Sequence, residues 1–383
     1  MIDLKSKLPS MNLTDKRVFL RIDLNVPLKS GKVLQDYRLQ QIRPTLDYLR
    51  EHGARIVIGT HLGRPKNNEP NLSTQVLEPW FKDHDYPVAF AATIEQAQEM
   101  MESHDLVLLE NLRFFPGELE PNKELTNQLK SLANIYVTDS FGTLHRDNCS
   151  IAELPLLFKE RTIGFLIEKE LTVLNKLLNK AEKPFVMILG GGKVIDKIPF
   201  INNLLPLVDM IALCPAIAFS FLRSFNYEVG RSLVDDKSVQ EICNLAQQSQ
   251  EHHTQLFLPP DFLVEQHGKL SVVPIGDFPT DAMGWSIGPE TCEGWKDIIE
   301  RAGTIFINGL PGQLSRPETL PYYNQLLNKV ADSKAYTVIG GGDSVGAALQ
   351  LKLEDKMDFL STGGGATLAY LSGKELPGLI PFI

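Results

Sequence analysis

The chain is short of cysteine. Its 383 residues include four, Cys149, Cys214, Cys243 and Cys292, and no two stand in a C-x-x-C pattern, so neither a zinc ribbon nor a redox dithiol is indicated. They read as buried free thiols of a reducing cytosol. Basic charge is also in deficit: 38 Lys and Arg face 47 Asp and Glu, for a net charge of −9. That balance argues against a general nucleic-acid binder. Long apolar runs are missing. The most apolar window, residues 204–221, is interrupted by Pro206, Asp209 and Pro215, and is a poor membrane span. The first residues, M-I-D-L-K-S-K, lack the apolar stretch of a signal peptide, so a cytoplasmic protein is expected. No fixed-period repeat and no low-complexity tract is seen.

What is there suits a globular protein, with 43% hydrophobic and 22% charged residues. The length exceeds one ordinary core, and two domains are expected. Short apolar runs alternate with amphipathic stretches. Strands are predicted over residues 18–22, 55–59, 88–91, 106–109 and 135–138, and again over 185–189, 210–214, 256–258, 304–308, 336–339 and 359–361. Helical patterns cover 39–51, 122–133, 239–250 and 321–330. Such alternation, with nearly continuous apolar strands, predicts α/β architecture with parallel sheets covered on both faces. A longer helix over 165–181 puts Leu166, Leu171, Leu174, Leu177 and Leu178 near one stripe. It could be a rigid connector between domains or an ordinary packed helix.

Ligands of open parallel sheets sit at the carboxyl ends of the strands. In the N-terminal half Asp23, His61, Arg113 and His145 each follow an apolar run closely, with Asn25, Arg38, Arg64 and Arg146 near them. Arginine offers a planar fork of donors for carboxylate or phosphate. Any single one could be a surface ion pair; Arg38, His61, Arg64, Arg113, His145 and Arg146 together favour one anion pocket. Asp23 and Asn25 could bond a hydroxyl or orient an arginine. In the C-terminal half three glycine-rich turns follow apolar runs: G-G-G-K-V-I-D-K at 190–197, I-G-G-G-D-S at 339–344 and S-T-G-G-G-A at 361–366. Helix starts after such turns suit phosphates. None is G-x-x-x-x-G-K-[ST], and none gives the G-x-G-x-x-G spacing cleanly. Lys193 and Lys197, four apart, share a helix face, and an anion between them would relieve their repulsion. Asp343 could cap its helix or hold Mg²⁺.

In order along the chain, R-V-F-L-R-I-D-L-N-V-P-L (17–28), T-H-L-G-R-P, L-L-E-N-L-R-F, D-S-F-G-T-L-H-R, L-G-G-G-K-V-I-D-K-I, G-G-G-D-S and S-T-G-G-G-A resemble the motifs of the phosphoglycerate kinase family over nearly the whole length. The resemblance implies two Rossmann-like domains joined by a hinge helix. They would be residues 1–164 with the tail 365–383 returning to them, the connector 165–181, and residues 182–364. It implies reversible phosphoryl transfer between 1,3-bisphosphoglycerate and ADP, giving 3-phosphoglycerate and ATP, with Mg²⁺ and after domain closure. No membrane or nucleic-acid partner is implied, and the expected state is a monomer. Matched motif by motif, Asp23, Asn25, Arg38, His61, Arg64, Arg113, His145 and Arg146 would form the acid-sugar site. Lys193, Lys197, Asn308, Gly340, Gly341, Gly342, Asp343, Ser344, Gly363 and Gly364 would form the nucleotide site, with Arg38, Lys193 and Lys197 around the transferring group and Asp343 on the metal. The chain departs from the family at Cys214-Pro215-Ala216, near the expected adenine, and at N-G-L-P-G-Q-L-S (308–315). There Ser315 replaces a ribose-gripping Glu, with Glu318 close by. Ser286 stands for an Asp, and Asn148 for a second His. Phosphate-handling residues are kept while base- and ribose-handling ones are altered. An altered nucleotide preference, or an acid-sugar binder without turnover, are the alternatives.

Overall fold

The computed structural model describes residues 7–192, 194–235 and 239–383. The chain forms two compact units, one running up to Thr172 and joined again by Glu375–Ile383, the other Val173–Lys374.

The first unit holds a six-stranded sheet whose spatial order is Ala89–Ala91, Leu106–Leu109, Arg55–Gly59, Arg17–Ile22, Ile135–Asp139, Glu160–Ile163. Every pairing is parallel. Leu106–Leu109 and Ile135–Asp139 are buried at every residue, as expected of strands covered on both faces. The order turns around at Arg17–Ile22, so the crevice outside its carboxyl end is the topological switch point. The strand Glu160–Ile163 was not legible as one, because its first half is polar and partly exposed. The helical pattern of 39–51 is two helices, Tyr37–Gln41 and Arg43–Glu51, meeting at Ile42. Pro44 lies in the first turn of the second, where its missing N–H costs nothing. Asn122 caps Lys123–Ser131 by accepting the Leu125 amide at 2.9 Å.

The second unit has its own six-stranded parallel sheet. In space the strands run Gln255–Phe257, Met210–Leu213, Phe185–Leu189, Thr304–Asn308, Tyr336–Gly340, Phe359–Leu360. Numbered along the chain this is 3-2-1-4-5-6, the order of a dinucleotide-binding fold. The switch point falls between Phe185–Leu189 and Thr304–Asn308, both fully buried. A second sheet, absent from the sequence reading, is antiparallel: Asp261–Gln266 pairs with Lys269–Pro274 and Met283–Ile287. His267 and Gly268, both at positive φ, form a tight two-residue hairpin. Lys269–Pro274 carries no fully buried residue, which removed the apolar signal.

The connecting helix runs Phe165–Asn179, two residues shorter than the pattern, and the chain leaves the first unit within it. The returning tail starts at Glu375 instead of residue 365. The helix Gly365–Leu371 packs on Val194–Leu204 of the second unit, where Asn203 donates to the Leu371 carbonyl at 2.6 Å. The tail itself is held in the first unit by Arg161, whose Nε donates to the Pro381 carbonyl at 2.9 Å.

Candidate functional site

In the first unit the sheet delivers charge to one end. Asp23, just past the strand Arg17–Ile22, is buried and accepts the Asn25 amide at 3.1 Å. Arg38, from the short helix Tyr37–Gln41, makes a close bond to the other Asp23 oxygen. Burial alone would raise the Asp23 carboxyl, but Arg38, His61, the Asn25 amide and Arg21 together bring it below its usual value. His61 follows the strand Arg55–Gly59 and lies 3.9 Å from Asp23, beyond hydrogen-bond reach. Its Nδ1 is buried without a partner. Burial, reinforced by Arg21, Arg113 and Arg146 against the opposing pull of Asp23, takes the imidazole down to about 3, so it is neutral at pH 7.

Asn111 fixes the neighbouring loop. Its side chain donates to the Leu62 and Leu72 carbonyls at 2.7 and 2.8 Å and accepts the Arg113 amide at 3.1 Å. The Arg113 guanidinium reaches the Gly63 carbonyl, and the Gly63 amide donates to Asn25 Oδ1 at 2.9 Å. Burial, then Arg146 and Arg21, lower Arg113 to about 10. Arg146 is lowered by burial, with Arg64 and Arg21 adding to it and Asp23 opposing. His145 is lowered by burial and then by Arg146, and its Nδ1 is also buried and unpartnered. Seven of the eight predicted acid-sugar residues (Asp23, Arg38, His61, Arg64, Arg113, His145 and Arg146) are thus linked by electrostatic contacts, Arg64 through Arg146 and Arg38 through Asp23. Arg64 is exposed, and Asn25 acts through the loop at Gly63.

Sequence reasoning missed Arg21 and Glu118. Arg21 is 2% exposed and donates from Nε to Ser150 at 2.9 Å. Ser150 in turn donates its hydroxyl to Glu118 at 2.7 Å. Glu118 is buried, and burial raises its carboxyl. A guanidinium in the middle of an apolar strand was the available signal, since an interior Arg without a function or partner is costly.

In the second unit the site is mainly backbone. The Gly190 amide donates to the Asn308 carbonyl at 3.0 Å and the Gly191 amide to the Pro215 carbonyl at 2.7 Å. Gly309 takes φ +95, and a Cβ there would lie 1.8 Å from the Gly190 carbonyl oxygen, so no other residue fits. Ser344 accepts the Gly309 amide at 2.9 Å. Gly341, at φ +94, precedes the helix Gly342–Gln350, and a Cβ there would lie 3.2 Å from the buried Asn308 Nδ2. Lys197 is 7% exposed and its ammonium donates to the Gly190 carbonyl. Burial lowers it to about 8 despite Asp343, Cys214 and Asp196. Asp343 is exposed in the first turn of its helix. Gly364 precedes Gly365–Leu371, and a cleft of about 480 Å³ runs from Gly192 and Lys197 to Gly365 and Lys374. Lys193 lies outside the described residues.

Among the described residues no cluster of three or more His, Cys, Asp or Glu could hold a metal. One exposed carboxylate beside glycine turns fits Mg²⁺, which binds through one or two carboxylates plus substrate phosphates and keeps several waters. Glu318, close to the Glu position in sequence, is engaged by a neighbouring arginine. Its carboxylate accepts Arg316 Nε at 2.9 Å, while the same guanidinium pairs with Glu265 at 2.9 and 3.3 Å.

A carboxylate-and-arginine cluster at one switch point and glycine-lined turns at another are the arrangement of a phosphotransferase. The phosphoglycerate kinase family profile matches residues 8–374. Phosphoglycerate kinases of Clostridium botulinum are 37% identical over 391 residues, covering 98% of each chain. The solved phosphoglycerate kinase of Coxiella burnetii is 33% identical with a TM-score of 0.82, covering 98% of this chain and 97% of that one. That of Pyrococcus horikoshii is 28% identical with a TM-score of 0.87 and 98% coverage of both. The chain belongs to the phosphoglycerate kinase family. The family's activity is glycolytic phosphoryl transfer with a carboxyl group as acceptor and a nucleotide as the other substrate.

Proposed function

We propose that the first unit binds 3-phosphoglycerate or 1,3-bisphosphoglycerate through Asp23, Asn25, Arg38, His61, Arg64, Arg113, His145 and Arg146. The second would bind ADP or ATP through Lys193, Lys197, Asn308, Ser344, Asp343 and the turns at Gly340–Gly342 and Gly363–Gly364. The observation that carries this reading is the crowding of cations in the first unit. Arg113, desolvated and repelled by Arg146 and Arg21, sits well below a free guanidinium, and a small polyanion would relieve that repulsion. The unpartnered His61 and His145 nitrogens supply further contacts for its oxygens.

The acceptor, a carboxylate or a β-phosphate oxygen, is already anionic, so no general base is required. Catalysis rests on in-line positioning and charge neutralisation. Arg38 from one unit and Lys193 and Lys197 from the other would surround the transferring phosphoryl. Asp343 would hold Mg²⁺, which neutralises nucleotide charge when bound. Closure of the two units about the helix Phe165–Asn179 would exclude water, which otherwise hydrolyses the acyl phosphate. Among the described residues no helix is long and apolar enough to cross a membrane; a cytoplasmic monomer is the state we propose.

A coupled assay with 3-phosphoglycerate and ATP tests the activity, and absence of turnover with intact phosphoglycerate binding would leave only a binding protein. The departures at Cys214-Pro215-Ala216 and Ser315 motivate a second reading, the same chemistry with an altered nucleotide preference; rates with GTP matching or exceeding those with ATP would support it. Asp343→Ala is expected to weaken Mg-nucleotide binding about 10-fold while 3-phosphoglycerate binding holds. Calorimetry with each ligand separately checks this.

A further inference from the structure

Asp139 ends the strand Ile135–Asp139, and nothing in the chemistry above uses it. The carboxylate is fully buried. One oxygen accepts the Ile167 amide at 2.9 Å. The other accepts the Thr45 hydroxyl at 2.6 Å and the Leu166 amide at 3.3 Å. The Thr45 oxygen accepts the Phe165 amide at 2.9 Å. Phe165, Leu166 and Ile167 are the first three residues of the connecting helix Phe165–Asn179, and the chain leaves the first unit within that helix, after Thr172.

Glycine makes the approach possible. A Cβ at Gly164 would sit 2.3 Å from the Asp139 carboxyl carbon, and the Gly164 amide donates to the Thr138 carbonyl at 2.7 Å. On its other side Asp139 leads directly into the loop of the anion cluster. Ser140 shares a hydroxyl contact with Thr143 at 2.7 Å and lies 3.4 Å from the Arg21 guanidinium, and His145 and Arg146 follow. A neutral Asn or Ser would cap a helix with less desolvation. A carboxylate accepts at both oxygens, so it grips the helix start and the helix Arg43–Glu51, through Thr45, at once.

We propose that Asp139, with Thr45, is a positioning residue for phosphoryl transfer, tying the loop that bears His145 and Arg146 to the start of the helix along which the units close. This rests on the closure reading above. Carboxylate-to-amide exchange removes one acceptor without changing shape, and small misplacement of reacting groups is costly in rate. In the full chain, Asp139→Asn is therefore expected to lower kcat about 10-fold with the KM for 3-phosphoglycerate changed less than about twofold. Thr45→Val should act in the same direction and Thr45→Ser should restore turnover.

Small-angle scattering with and without both substrates separates the two layers of the argument. A wild-type chain that does not contract overturns the closure reading itself. Contraction in the wild type, with unchanged contraction and unchanged kcat in Asp139→Asn and Thr45→Val, overturns only this inference. So does a loss expressed wholly in KM. If Asp139→Asn fails to fold, the Thr45→Val and Thr45→Ser pair decides.

Discussion

In the first unit the candidate site is made of charged side chains held by neighbouring side chains and loop backbone, whereas in the second it is made mainly of backbone held by backbone. Asp23 is fastened by Arg38, and Arg113 by Asn111 and the Gly63 loop. Gly190, Gly191 and Gly309 are fastened mainly by carbonyls and amides of adjacent turns, with Ser344 and Lys197 the side-chain contributors. The difference follows from what each is proposed to bind. A small acid-sugar offers few atoms, so its recognition needs directed charges. A nucleotide's phosphates can be met by amides and helix ends, which requires close backbone approach and hence glycine. The comparison is broken most sharply where one substitution should disable one site and spare the other.

The largest effect is expected at Arg38. Arg38→Ala should lower kcat by ~10²–10³-fold, the scale for losing one preorganised charged donor, while nucleotide affinity measured by calorimetry is unchanged. Near-normal turnover would remove Arg38 from the transferring-phosphoryl role. In the second unit the corresponding test is steric. Gly309→Ala places a methyl within 1.8 Å of the Gly190 oxygen at a φ of +95. It should destabilise that unit by about 3 kcal/mol or more and abolish nucleotide binding, with the 3-phosphoglycerate isotherm intact. Binding of both ligands lost together would mean the sites are not independently built.

Arg38 also marks where sequence was informative. Arg38, His61, Arg113 and Arg146 were legible because guanidinium and imidazole groups placed after apolar runs have few alternative explanations once several occur together. The parallel sheets were legible from continuous apolar strands such as 106–109 and 185–189. The hairpin at Lys269–Pro274 was not, because a strand without a buried face carries no period-two signal. Glu118 was not, because its link to Arg21 runs through Ser150, 129 positions along the chain from Arg21, and Arg21 was passed over inside an apolar strand. Glu318 was offered by proximity in sequence to the Glu position, and its bond to Arg316 could not be read from spacing.

A smaller effect should appear in the pH dependence of stability. His61 is held neutral, down to about 3 folded against an ordinary 6.5. The unfolded chain therefore binds the proton more readily, and the folded state's advantage is full above pH 6.5 and lost as pH falls toward 3. Between pH 6.5 and 4.5 the loss should be about 2 kcal/mol. Denaturant titrations of His61→Gln should show this slope flattened. An unchanged slope would place the acid sensitivity elsewhere, with the carboxylates.

The smallest and most discriminating contrast is between the cations of the two sites. Lys197 is lowered to about 8, so it is mostly charged at pH 7 and mostly neutral at pH 9. Phosphate oxygens favour the charged form, and nucleotide affinity should fall about fivefold over that interval. The guanidinium groups of the first unit behave otherwise. Even Arg113, at about 10, remains largely protonated at pH 9, so 3-phosphoglycerate affinity should stay nearly flat. Lys197→Arg should flatten the nucleotide profile too, at some loss of affinity, because the fork cannot reproduce a point contact to the Gly190 carbonyl. Calorimetry at pH 7, 8 and 9 reads both ligands in one experiment. A nucleotide profile that stays level in the unsubstituted chain would show that the buried ammonium serves the Gly190 turn alone and that the phosphates rest on amides and the remaining residues.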